Sequence, residues 1–396
     1  MQLDLETVAF DSPPVQRVVA GTDERRLRVL HIGKFYPPHK GGMETHLRDL
    51  CQRLARDVDI EVVVANDGKK TNSELADGVK ISRLGTTINL GAAPVCSGMA
   101  RTIREAQADI VHLHFPNPTG ILSYFSSGYR GPTVVTYHSD IIRQKILGQA
   151  FQPWLRRFLN RSDAIIVGSQ NYVDSSAVLR RFRDKCHIIP FGISEGNFDD
   201  FDSQLVEQIR ATYGPRIVLG IGRLIYYKGF EFLIRSMTNI DGRLLIIGNG
   251  PLRASLEAEA RNQGVADRVT FLGEVREVKP YVQAADVFAL PSIARSEAFG
   301  LVQLEAMACG KPVVNTRLES GVPFVSIDGI TGLTVPPGDS VALASAINRL
   351  LDDKEIRDRM GAAGRLRVQE EFRADLMTAR TLDLYREVWQ RRILAS

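Results

Sequence analysis

The chain is short of cysteine and tryptophan and has no long apolar run, and each shortage removes a class of protein. Cys51, Cys96, Cys186 and Cys309 are the 4 cysteines among 396 residues, and no two form a C-x-x-C. Scattered thiols of this kind build neither a disulfide frame nor a zinc ribbon, and they suit a reducing, cytosolic setting. No apolar stretch approaches the ~18 residues that span a bilayer, and no charged-then-apolar leader is expected. Charge of one sign is lacking too: 50 Lys and Arg oppose 46 Asp and Glu, leaving a formal charge of +4. With 44% apolar and 24% charged residues, the composition excludes disorder over most of the chain. Nor does a G-x-G-x-x-G follow a strand with an acidic residue about 20 positions on, which argues against a nicotinamide dehydrogenase.

What is present is a regular alternation. A chain of 396 residues exceeds a single core, so two domains of roughly 180 residues each are expected. Residues 1–26 mix polar and apolar positions without period around Pro13-Pro14, which predicts a mobile extension. The first convincing strand is Leu27 to Gly33. Further strands are expected near 60–65, 110–114, 133–137, 164–167 and 186–189, with helices near 43–56, 97–107, 144–161 and 170–181. A second series has strands near 216–221, 243–247, 268–272, 286–290, 312–315 and 331–335, then helices over 339–353, 354–372 and 376–394. This predicts an α/β fold of two doubly wound, Rossmann-like domains facing across a cleft, with ligands at the carboxyl ends of the strands. The domains read as 27–190 and 199–372, joined by a linker over 191–198 and followed by an amphipathic helix in 373–396.

Two motifs carry the chemistry. In Ser296-Glu297-Ala298-Phe299-Gly300-Leu301, a helix starts at Gly300, so Glu297 lies on the preceding loop and Glu305 within the helix. The N–H groups of Phe299, Gly300 and Leu301 then point into the same space as the two carboxylates. Carboxylates accept hydrogen bonds from sugar hydroxyls, and a helix N-terminus favours negative charge. The second motif, Gly220 to Gly229, places Arg223 and Lys228 on a strand-to-helix loop, where a planar fork and a point charge converge on a diphosphate.

Arg-x4-Lys-Gly and Glu-x7-Glu, in that order, resemble the retaining glycosyltransferases of family 4, with their two-domain GT-B architecture. The likeness covers about Arg28 to about Phe372, and the subgroup it resembles makes bacterial surface polysaccharides. It implies that Arg223 and Lys228 neutralise the donor diphosphate, that Glu297 holds the sugar and Glu305 the ribose, and that the terminal helix crosses back to the N-terminal domain. No protein nucleophile is implied; Glu297 in that role is the rival reading. The implied donor is a nucleoside diphosphate sugar, GDP-mannose first and UDP-sugars close behind. The implied acceptor is a hydroxyl of a glycan or lipid-linked oligosaccharide.

Other motifs admit plainer readings. Gly41 and Gly42 follow the first strand, where backbone N–H groups can approach an anion; a simple turn is the alternative. His138 follows a strand end and matches a family histidine near the donor sugar's terminal hydroxyl, which implies hydrogen bonding to the sugar ahead of general base catalysis. His31, His39, His46 and His187 read as structural. His112 and His114 share a strand face, but no third ligand is evident, so they read as cleft wall or core. Gly250 resembles the turn by the nucleotide, and Val275 with Arg276 the region meeting the base. Asp57-Val58-Asp59 and Asp200-Phe201-Asp202 do not read as cation sites, so neither metal nor cofactor is expected; the latter pair suits a helix cap.

Between Arg143 and Lys185, nine Lys and Arg outnumber three Asp and alternate with Ile146, Phe151, Trp154, Leu155, Phe158 and Leu159. A cationic helix with a Trp-bearing apolar side can rest on the inner face of the cytoplasmic membrane, and a solvated face is the alternative. Nucleic acid is not an expected partner, since no recognition motif accompanies the charge. Two other functions share the scaffold: a sugar-nucleotide epimerase, and a non-catalytic sugar-nucleotide-binding subunit.

Overall fold

The computed structural model describes residues 25–90, 93–141, 145–194 and 200–394. Most of the expected 1–26 extension and part of the 191–198 linker therefore lie outside the described residues. The ten strands of the first half are β1 (Arg28–Ile32), β2 (Asp59–Ala65), β3 (Asn72–Ala76), β4 (Val79–Leu84), β5 (Ile88–Leu90), β6 (Ala93–Val95), β7 (Ile110–Phe115), β8 (Thr133–Tyr137), β9 (Ala164–Val167) and β10 (Cys186–Ile188). Eight of them form one sheet in the order β10-β9-β8-β7-β1-β2-β4-β3, and β5 pairs with β6 in a separate ribbon. The central strands pair in parallel and are buried on both faces, which is why they read as runs of Val, Ile and Leu. Within this sheet, among the described residues, only the edge strand β3 runs antiparallel.

The second half carries β11 (Ile217–Ile221), β12 (Arg243–Ile247), β13 (Val269–Gly273), β14 (Val287–Leu290), β15 (Val313–Thr316) and β16 (Gly332–Val335). They form a wholly parallel sheet in the order β13-β12-β11-β14-β15-β16. The order reverses beside β11 and β14. This is the topological switch where an open α/β sheet leaves a crevice for ligand, and both motifs lie on the loops that follow these two strands.

Two segments cross between the lobes side by side: Ile193 N donates to Phe372 O at 2.9 Å, and Ala374 N to Ile193 O at 2.9 Å. The terminal helix Ala374–Leu394 then lies on the first lobe, where Met377, Leu382, Leu384, Tyr385 and Val388 join a core with Val29, Leu47, Leu50 and Val62.

The structure corrects several local expectations. The 97–107 helix is shorter, Met99–Glu105, and the 170–181 helix ends at Ser175. The β3–β4 hairpin, the β5–β6 ribbon and a helix over Pro118–Ser127 were not expected. Asp202 does cap a helix, accepting from Leu205 N at 3.0 Å. In the helix Lys145–Arg161, Leu155, Phe158 and Leu159 belong to the core, whereas Trp154 is strongly exposed, at 46%.

Candidate active site

The loop after β11 is shaped by backbone contact with the loop after β12. Leu224 N donates to Asn249 O at 2.9 Å, and Leu252 N to Leu224 O at 3.1 Å. A Cβ at Gly248, whose φ is 130°, would stand 2.1 Å from the Gly222 carbonyl oxygen, and one at Gly250 would stand 2.4 Å from that of Leu224. Gly250 thus serves by letting two ligand-facing loops meet, and Val275 packs against the adjoining core. Folded in this way, the loop lays Lys228 back over Gly222. Its Nζ lies 2.5 Å from Glu297 Oε2, and both side chains are largely covered, at 12% and 10% exposed. Ser292 donates a second hydrogen bond to Glu297, at 3.0 Å.

Gly300 caps the next helix, Leu301–Ala308, in the left-handed region at φ 74°. A side chain there would strike Leu290 and Gln303 within 2.8 Å. Among the described residues, no hydrogen bond takes up the N–H groups of Phe299, Gly300 or Leu301. Helix Gly42–Leu54 approaches from the other lobe: a Cβ at Gly42 would lie 3.5 Å from Leu301 Cδ1, and Gly41 adjoins the Glu44 carboxylate. One turn into its helix, Glu305 faces Asp49 of that opposing helix. Burial, with the Asp49 charge second, pushes its carboxyl up to about 7.

Arg223 is exposed in the cleft, and its charge is felt by two neighbours. Lys34 is held below the ordinary lysine range, chiefly by burial and then by Arg223, while Glu44 opposes the shift. Tyr227 is pushed up to about 12 by burial and then by Glu297. Lys34 was not anticipated as a site residue, although it directly follows β1 in the same motif as Gly41 and Gly42. It places a further cation close to Arg223. Also unanticipated is Arg295, which bonds Asp140 of the first lobe at 3.1 Å and the Ser175 carbonyl at 3.0 Å. With the Lys40–Glu274 ion pair, it joins the lobes on either side of the cleft.

His138 follows β8 and is 8% exposed, between Phe191 and His46. The reading of His112 and His114 as core holds, since they are 0% and 2% exposed. What the sequence did not show is that His31, His46 and His138 surround them.

The family described as Glycosyl transferases group 1 matches residues 203–367, and Glycosyltransferase Family 4 matches residues 40–196. The O-antigen chain mannosyltransferase C of Escherichia coli is 33% identical over 365 residues, covering 91% of this chain and 98% of that protein. The chain belongs to glycosyltransferase family 4. The D-rhamnosyltransferase WbpZ of Pseudomonas aeruginosa is 34% identical over 354 residues, covering 88% of this chain and 93% of the relative. Among solved structures, a sucrose-phosphate synthase from Thermosynechococcus elongatus superposes with a TM-score of 0.78 at 26% identity, covering 92% of this chain and all of that one. The fold is therefore GT-B, and the chain is a hexosyltransferase. Among the described residues no helix is long and apolar enough to cross a membrane.

Proposed function

We propose that this glycosyltransferase moves a mannose-configured sugar from a nucleoside diphosphate, GDP-mannose first, to a hydroxyl of a glycan or lipid-linked oligosaccharide, keeping the anomeric configuration. One observation carries the reading: Lys228 and Glu297 form a covered ion pair at the switch point of the second sheet, on the loop that leads to Leu301, which Gly42 of the other lobe approaches. As the glycosidic C–O bond stretches, charge builds on the diphosphate. Arg223, Lys228 and the amides of Phe299, Gly300 and Leu301 stabilise it where it develops. Lys34 adds a cation from the first lobe. Glu297 holds the sugar's hydroxyls, and the departing phosphate oxygen takes the acceptor's proton on the same face. No step needs a metal, because the cations do that work. D-rhamnose is mannose without the 6-hydroxyl, so the two relatives' sugars differ only at C6, where His138 would reach. A site that bonds the 6-hydroxyl should prefer GDP-mannose over its 6-deoxy analogue by about tenfold, the worth of one hydrogen bond.

The test separates donor from acceptor chemistry. GDP-mannose with a lipid-linked acceptor should give an α-linked product, whereas donor alone should give slow hydrolysis and no new sugar isomer. An isomer would establish the epimerase reading, and tight nucleotide binding without turnover would establish the non-catalytic one.

Nucleotide binding should depend on pH through Glu305. To accept from two ribose hydroxyls the carboxyl must be ionised, and in the free protein it titrates at about 7. Below that pH a proton must leave on binding, so affinity falls as pH drops. Between pH 8 and pH 6 the Kd for GDP should rise about tenfold by calorimetry. Glu305→Gln should be weak and flat across the range.

The membrane reading rests on a small patch. Trp154 and Leu122 are 46% and 41% exposed, and Arg156 and Arg157 are exposed beside Trp154. Co-sedimentation with anionic but not zwitterionic vesicles, lost in Trp154→Ala, is the expected result.

A further inference from the structure

Five of the seven histidines lie together beneath the cleft, and four of them share one line of hydrogen bonds. His138 Nε2 contacts His114 Nδ1 at 3.2 Å, and His114 Nε2 contacts His31 Nδ1 at 3.1 Å. His31 Nε2 then meets the Tyr385 hydroxyl at 3.2 Å; that hydroxyl meets His112 Nδ1 at 2.5 Å, and His112 Nε2 meets Thr136 Oγ1 at 2.7 Å. The rings come from β1, β7 and the residue after β8, and the strand period of two turns His31, His112, His114 and Thr136 to one face. Tyr385 comes from the terminal helix that returns from the other lobe.

Burial keeps these rings neutral. It is the first cause of the lowered values of all four: His31 falls to about 3, and His112, His114 and His138 fall well below their ordinary value. A neutral imidazole has one N–H, so it donates at one nitrogen and accepts at the other. Where Tyr385 gives its one proton within the line, the five links all point either toward Thr136 or toward His138. With Tyr385 donating to His112 and accepting from His31, a direction that the shorter and the longer of its two contacts suit, His31 accepts from His114, His114 accepts from His138, and His138 carries its proton on Nε2. His138 Nδ1, which has no protein partner among the described residues, is left as an acceptor.

We propose that this line is a positioning relay: Tyr385 and Thr136, through His112, His31 and His114, fix His138 in the tautomer that accepts a hydrogen bond from a sugar hydroxyl. It rests on the reading of His138 as a sugar-binding residue. The same histidines do not build a metal centre. His31, His112 and His114, and likewise His46, His114 and His138, have nitrogens near one another. Both nitrogens of His114, however, lie in line with His31 and His138, so its lone pair meets a ring proton instead of converging with others on an ion. His46, whose two nitrogens have no partner, stands at 82° to the His138 ring and walls it without joining the line.

The test is the tautomer of His138, read by nitrogen-15 NMR of histidine-labelled full-length protein, with His138→Gln used to assign the signal. In the native chain the proton should be on Nε2. Tyr385→Phe keeps the ring but removes the hydroxyl, so His31 loses its acceptor. A measurable share of His138 should then carry its proton on Nδ1, and kcat should fall about tenfold with little change in KM. Thr136→Val cuts the other end with an isosteric side chain and should act in the same direction, which covers a Tyr385 variant that does not fold. Leu384→Ala on the same helix should lower Tm without moving the tautomer. A native proton on Nδ1, or unchanged tautomer and kcat in both cut variants, overturns the relay. Full transfer activity in His138→Ala would instead overturn the sugar-binding role on which it rests.

Discussion

Lys228→Ala should lower kcat for transfer by roughly two to three orders of magnitude, about 2.7–4 kcal/mol in the barrier, as when one preorganised donor to a developing anion is lost. The ion pair complicates any simple reading. Lys228 and Glu297 are 2.5 Å apart and both largely covered, so the alanine variant leaves Glu297 with Ser292 as its remaining partner. Stranding a covered charge costs about 3–5 kcal/mol of stability, enough to reduce the amount of folded enzyme. Lys228→Met combined with Glu297→Gln removes both charges and should restore Tm to within a few degrees of the native value. Measured per folded molecule, transfer by this double variant should stay depressed by at least the factor seen for the single lysine change. Recovery of transfer alongside Tm would mean that the lysine serves only to neutralise Glu297. Donor hydrolysis, followed separately, should fall with transfer, because both reactions break the same bond.

The two motifs at the centre of this argument were legible because each is local. Arg223 and Lys228 share one loop, and Glu297 and Glu305 share one loop and helix, so spacing alone places them at strand ends. Other misses were of signals that stood in the chain. Asp77-Gly78 takes positive φ at both positions and turns β3 into β4, as that dipeptide does in tight hairpins. Asn117-Pro118 with Gly128 opens and closes a helix in the usual way: Asn117 accepts from Gly120 N at 3.0 Å, and Gly128 ends it at φ 73°. The basic stretch 143–185 was legible only in part, for a different reason. Periodicity shows that Leu155, Phe158 and Leu159 share a face, but whether that face meets lipid or Phe125 and Tyr124 depends on a neighbouring helix. The histidine line could not be read at all. Its members lie on or just after three strands and on a helix that begins more than 230 residues beyond β8, and each histidine alone looks like an ordinary core residue.

Phe299 shows how a site residue can matter for a reason other than the one its motif suggests. Its backbone N–H belongs to the proposed donor site, but its side chain is 4% exposed and wedged between the lobes. The ring lies 5.0 Å from Phe191, 6.0 Å from Phe372 and 6.4 Å from Phe324, centroid to centroid. It is so closely enclosed that a Cβ at Gly168 or Gly321 would stand 3.0 Å from it. Phe299→Ala should therefore cost about 3–5 kcal/mol in denaturant unfolding, the usual penalty for emptying a buried aromatic site. The backbone has independent support: Gln303 Nε2 donates to Phe299 O at 3.0 Å, and Asn315 Nδ2 holds Gln303 by donating to its Oε1 at 3.1 Å. Phe299→Leu, which keeps most of the volume, should then lose stability but retain nearly native kcat per folded molecule. Gln303→Ala should do the reverse in relative terms, depressing kcat by more than its loss of stability explains, because it frees the carbonyl that orients the next two amides. If Phe299→Leu instead abolished transfer while Gln303→Ala left it intact, closure of the lobes, and not the amide array at the helix start, would be what limits turnover.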